Sequence, residues 1–312
     1  MKKPAANRAS VRGAFAIAVV ALLIIPTCSR AQVAPTVLPQ YSYSVLPQSA
    51  FSPVQNFFTQ WFAMVTQIQS EQPHWVTPLV TVTPRLEQEF RYDQLWQSKA
   101  HGTTNDNFGG GKGLELIPYQ NIEVILGVPA WVAHNGHISH KKGHDTDGWA
   151  DETFLIKYRI LSANEDSGNY ILTAFMGFSA PTGDDGNSNG HAIFTPTIAG
   201  GKGFGPFDVQ STVGIAFPNG GTERLGWPLA WNTAFQYHIW RYAWPEFETN
   251  YTWFAKGERV GESQLYLLPG IIFGRFPIHD RVGATFGAGF QVAVTHVPAY
   301  NHAVVVSGRI PF

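Results

Sequence analysis

Residues Arg85 to Trp96 read RLEQEFRYDQLW, and this stretch constrains the fold more than any other. One set of alternate positions is Leu86, Gln88, Phe90, Tyr92, Gln94 and Trp96; the other is Arg85, Glu87, Glu89, Arg91 and Asp93, then Leu95. A period of two is the signature of a β-strand. Two settings accept a strand with one aromatic face and one face of mixed charge. In a soluble β-sandwich the charged face meets solvent. In a membrane barrel it lines a water-filled lumen, and the aromatic face meets lipid.

Composition favours the barrel. Charged residues make up 14% of the 312-residue chain, against about 25% in ordinary soluble domains. Aromatics also reach 14%, with 10 Trp and 31 Gly. The net charge of −1 gives no electrostatic case for nucleic acid.

The same alternation recurs downstream. Ile122, Val124, Leu126, Val128, Ala130 and Val132 share one face. Phe154, Ile156, Tyr158 and Ile160 oppose Asp151, Thr153, Lys157 and Arg159. Further stretches lie at 169–179, 207–217, 229–240, 246–255 and 281–296, with weaker ones at 112–117, 191–200 and 264–275. In the third of these, His238 shares a face with Asn232 and Gln236; in the fourth, Glu246 and Glu248 do so with Asn250. The chain closes on HAVVVSGRIPF, whose alternate residues Val304, Val306, Gly308, Ile310 and Phe312 are free of charge. A last strand has an open edge, and pairing with the first strand covers it. Counted with the first strand, these make about twelve, an even number, as single-chain bacterial barrels have. Longer polar loops at 98–111, 134–148, 180–190, 218–228 and 256–263 alternate with short turns at 118–120, 162–168, 201–206, 241–245 and 276–280. Trp96, Trp149, Trp227 and Trp253 fall at the loop ends, and Trp240 and Trp244 at the turn ends, as in an aromatic girdle.

The N-terminal region reads as separate segments. Lys2, Lys3, Arg8 and Arg12 precede the apolar run Ala14–Ile25. That run is shorter than the roughly 20 residues a spanning helix needs, so 1–31 reads as a cleavable export signal with cleavage before Gln32. Cys28, the one cysteine, falls inside it, and Pro26-Thr27 before it does not suit lipoprotein processing. The mature chain then has no thiol. Residues 32–80 read as a leader, and Phe57, Phe58, Trp61, Phe62, Val65 and Ile68 recur within it at helical spacing. This amphipathic helix over 51–70 is a candidate plug. Residues 81–312 form the barrel.

The run GFSAPTGDDGNSNGHAIFTPTIAGGKGFGPFDVQSTVGIAFP, residues 177–218, has a strand ending in Pro-Thr-Gly, a polar loop, and a hairpin through Gly-Phe-Gly-Pro. In this it resembles the outer-membrane family labelled "meta-pathway of phenol degradation", itself similar to long-chain fatty-acid porins. The resemblance extends from about residue 76 to the C-terminus. It implies an outer-membrane β-barrel and the uptake of a small molecule, with no fixed solute.

The candidate lumen and solute-path residues are Arg85, Glu87, Glu89, Arg91, Asp93, Asp151, Lys157, Arg159, His238, Glu246, Glu248 and Arg309. They are expected either to pair across strands, with Arg309 approaching the acidic face of the first strand, or to select a solute. His134, His137, His140 and His144, with Asp145 and Asp147, are spaced closely enough to bind Zn or Cu. The acidic loop Gly183–Gly190 has oxygens for Ca²⁺ but matches ordinary turn chemistry. Gly109–Gly113 lacks the spacing of a phosphate loop, and no nucleophile elbow or H-E-x-x-H run is present. No catalytic residue and no cofactor is expected. Phe312 is the expected assembly signal, read by barrel-assembly machinery. The expected partners are outer-membrane lipid and a small solute. The leading expectation is passive uptake of a small solute, hydrophobic or aromatic in character; the alternatives are a non-conducting structural or surface-binding barrel and a secreted soluble sandwich.

Overall fold

The structure, a computed structural model, describes residues 53–99, 102–110, 112–135 and 146–312. The expected export signal, the leader up to residue 52, and His137, His140, His144 and Asp145 lie outside the described residues.

A helix, α1 (Pro53–Ser70), comes first. Among the described residues, twelve antiparallel strands then close into one ring. In ring order they are β1 (Glu89–Ser98), β2 with β3 (Thr104–Phe108, Gly113–Tyr119), β4 with β5 (Ile122–Leu126, Trp131–Asn135) and β6 with β7 (Gly148–Trp149, Glu152–Ala163). β8 (Tyr170–Ala180), β9 (Ile193–Phe204), β10 with β11 (Phe207–Ile215, Phe217–Pro218) and β12 (Pro228–Tyr237) follow. β13 (Ala243–Phe254), β14 (Ser263–His279), β15 (Val282–Ala293) and β16 (His302–Pro311) complete the ring. β16 pairs with β1 from Glu89↔Pro311 to Ser98↔His302, so no edge is left open.

The outward face is apolar. Phe90, Tyr92, Trp96, Ile156, Tyr158, Ile198, Val213, Phe247, Phe286, Val304 and Ile310 are all exposed. Phe154, Phe178 and Phe194 form a cross-strand ring ladder, with centroids 6.3 and 5.1 Å apart. The inward face carries the polar residues, and it is buried. This inverts a soluble protein, and it is how a closed barrel sits in lipid, where each strand bonds only to its neighbours. The soluble-sandwich alternative is thereby set aside.

Several sequence expectations are corrected. The first strand begins at Glu89, so Leu86 and Gln88 do not face lipid; both are buried inside the barrel. Trp244 is 5% exposed and shares its parity with Glu246 and Glu248, so it points into the lumen and not into a girdle. The stretch 98–111, expected as a loop, contains β2. The second strand of the ring is broken between Phe108 and Gly113, and two strands that read as continuous are broken near 127–130 and 150–151. At the first break Gly113 has φ +63°, and a Cβ there would sit 2.4 Å from the Leu126 carbonyl, so the glycine run serves backbone geometry.

Candidate functional site

Residues 71–88 run through the lumen with several bends and without joining the sheet. Pro73, Pro78 and Pro84 offer no N–H, which disfavours a ladder. A buried backbone outside the sheet must find other partners, and lumen side chains supply them. Cations and amides take the carbonyls. Arg85 and Arg275 donate to Trp75 O, and Gln210 Nε2 donates to Val76 O at 3.0 Å. Arg309 donates to Thr77 O and, at 2.7 Å, to Pro78 O; Arg91 donates to Pro78 O and Leu79 O. Lys157 Nζ donates to Arg85 O at 3.1 Å, and Thr173 Oγ1 to Pro84 O at 2.6 Å. Carboxylates take the N–H groups. Leu79 donates to Glu246 at 3.1 Å, Val80 and Thr81 to Glu248 at 2.7 and 2.6 Å, and Glu87 to Glu123 at 2.6 Å.

Apolar contacts shape the same path. Leu79 packs with Val76, Trp244, Leu268, Ile272 and Val305. A Cβ on Gly270, Gly287 or Gly289 would approach Leu79 to 2.7, 2.6 or 2.9 Å. The Trp75 indole lies over β9 in the same way, since a Cβ on Gly201 would fall 2.4 Å from its ring. These lumen-facing glycines are therefore the moulds into which the segment fits.

The sequence-predicted residues thus divide by task. Glu246, Glu248, Arg91, Arg309 and Lys157 hold the plug's backbone, while Arg85 and Glu87 belong to the plug and pair with each other at 2.7 Å. Asp93 pairs with Arg91 at 2.8 Å. Arg159 donates to Ile68 O at the end of α1 and to Glu71. Glu89 is buried beside its register partner Glu115. Asp151 lies away from this group: it accepts the N–H groups of Gly183 and Asn189 in the outer loops. His238 stacks on Trp244 at the turn-side mouth, with centroids 4.3 Å apart.

Arg309 stands on the charged face of the first strand, opposite Arg91 in the register and between Glu89 and Asp93 along β1, and both guanidiniums reach the plug carbonyls. The segment that occupies the lumen is 71–88, after α1, where the sequence pointed to the helix as the candidate plug. The helix instead seats Val65 and Ile68 against Leu86 and Ile117, and Trp61 Nε1 donates to Ile117 O at 2.7 Å.

Of the histidines considered for metal, His134 is bonded to Asn105 and Asn187, and no metal-binding group of three occurs among the described residues. In the acidic loop, Asp184 accepts the N–H of Trp149 at 2.8 Å, which is turn chemistry.

Sequence reasoning missed Arg275. By alternation it would face lipid, but the β14–β15 pairing shifts register between Gly274 and Phe276, and Arg275 adopts φ +56°. This bulge turns its side chain to the plug. Outside the membrane-spanning strands, His74 of the plug donates its N–H to Glu165 at 2.6 Å, and their side chains meet at 2.8 Å. Burial alone would raise the Glu165 carboxyl, but these bonds outweigh it and hold it below the usual range.

No protein-family model matches the chain, and no curated protein matches it in sequence. Among solved structures the chain is similar to the COG4313 outer membrane channel from Pseudomonas putida F1, with TM-score 0.49 and 15% identity over 71% of this chain and 93% of that one. It is also similar to the NanC porin (TM-score 0.44, 9% identity, 71% and 98% covered) and the KdgM porin (0.41, 9%, 71% and 99%). At these identities and scores the likenesses assign no function to the chain.

Proposed function

We propose that this chain is an outer-membrane channel for a small solute, closed at rest by residues 71–88. One observation carries the reading: the lumen is lined by side chains that bind a segment belonging to no strand. Such a segment can leave without breaking any strand pair, whereas a filled core cannot. Passage would be passive and driven by a gradient, with no cofactor or nucleotide. The export signal at 1–31, assembly through Phe312 and membership of the phenol meta-pathway family belong to the same proposal. The lipid-facing belt supports the membrane setting.

A second reading, a non-conducting structural barrel, draws on the burial of the plug. Planar-bilayer recording separates the two. The channel reading expects discrete current steps from the full chain, more frequent in a variant with a loosened plug. Absence of current from both refutes it. Release of the protein from membranes by a salt wash without detergent refutes the membrane placement.

A further inference from the structure

The lumen at the turn-side mouth is not filled. A cavity of 550 Å³ lies between the plug and the turns that join β7 to β8, β9 to β10 and β12 to β13. This is within the roughly 300–1,000 Å³ typical of small-molecule sites. Trp75 and Asn169 belong to its wall, and both pack over Gly203: a Cβ there would come within 2.7 Å of Trp75 Nε1 and 2.0 Å of Asn169 Nδ2, so the glycine lets these two side chains approach the backbone of β9.

The rest of the wall is aromatic and cationic. His238 and Trp244 stack with their planes 5° apart. Trp244 is buried beneath, while His238 is exposed, which leaves a flat face toward the cavity. Arg241 lies 5.1 Å over the Tyr242 ring, and Arg275 enters through its bulge. The two carboxylates in the wall are already engaged, Glu165 by His74 and Asp208 by Gln210.

From these groups we infer that the cavity is a binding site for a small planar carboxylate, a single-ring arene- or heteroarene-carboxylate. The ring extends the His238–Trp244 stack. The carboxylate accepts from the guanidiniums. As a statement about the transported solute this rests on the channel reading above; as a statement about binding it does not.

The test is titration of the detergent-solubilised full chain with benzoate, followed by tryptophan fluorescence, with cyclohexanecarboxylate and benzyl alcohol as non-planar and uncharged controls. Saturable benzoate binding is expected, with both controls at least roughly ten-fold weaker. Arg241→Gln, an exposed turn change, should weaken benzoate roughly ten-fold, the loss of about 1.4 kcal/mol. His238→Ala should weaken it as well, and retained heat-modifiable mobility on gels certifies the fold of each variant. Absence of saturation, equal binding of cyclohexanecarboxylate, or an unchanged affinity in folded Arg241→Gln overturns the site. Benzoate binding by a barrel that carries no current refutes the transport reading and keeps the site; current without benzoate binding does the reverse.

Discussion

Glu248 offers the sharpest test of the plug. It is fully buried and accepts three bonds from it: Val80 N–H at 2.7 Å, Thr81 N–H at 2.6 Å and Thr81 Oγ1 at 2.6 Å. Glu248→Ala leaves two buried donors, both of Thr81, and the half-buried Val80 N–H without partners. An unmet buried donor costs about 1–3 kcal/mol. Two effects reduce the sum: water entering the vacated space serves some of the donors, and removing a buried carboxylate returns its own desolvation cost. A net loss of about 3 kcal/mol is therefore expected, which lowers the seated fraction of the plug by a factor of roughly 10². The strand pairing of β13 is backbone-mediated and stays intact, since Glu248 lies opposite Ala234 and Leu268 in the ladder. The folded barrel should persist on heat-modifiability gels while open bursts in bilayer recordings become frequent and residues 71–88 become accessible to protease. A folded Glu248→Ala barrel with unchanged currents and an unchanged protease pattern would falsify the reasoning, because it would show that these bonds do not hold a movable segment.

Three further outcomes follow from particular contacts. Gly287→Ala places a Cβ 2.6 Å from Leu79 and should unseat the plug at a cost of about 1–3 kcal/mol; Leu79→Ala alone should cost about 2–5 kcal/mol. Combined, the two should cost less than their sum, and full additivity in protease-access measurements would refute the mould. Glu165 has a lowered pKa, so its clasp on His74 contributes above the unfolded carboxyl value of about 4.3 and is lost as pH falls through the lower folded value. Opening should therefore rise on acidification of the turn side in this window, and a Glu165→Gln channel with the same acid response would sink the assignment. Deletion of Phe312 should reduce the assembled fraction in membranes, since its N–H donates to Gln88 O at 3.1 Å where β16 meets β1; normal assembly counts against the terminal-signal reading.

How much was legible in the chain depended on the range of the interaction. Alternation is local: a strand between lipid and lumen must change character at every residue, so Phe90 against Arg91 announces its own two faces. From this the strand positions, their number and the closure of β16 on β1 can be read. The helix at Pro53–Ser70 is legible for the same reason, with a period of 3.6. The plug is not. Residues 71–84 have no sustained period, residues 85–88 carry the alternation of β1 without joining it, and the partners of the segment stand far away in sequence: Leu79 with Glu246, Thr77 with Arg309, Trp75 with Gly201. The charges of the lumen face are visible in the sequence, but what they bind is not, because a carboxylate awaiting a backbone N–H looks the same as one awaiting a solute. Arg275 was hidden by a single-residue register shift, which reverses the face of a side chain without altering the pattern around it. The sequence by itself determined a barrel with a charged interior. Only the tertiary structure decided that this interior grips its own N-terminal segment and leaves a cavity beside it, because that choice rests on contacts between residues far apart in the chain.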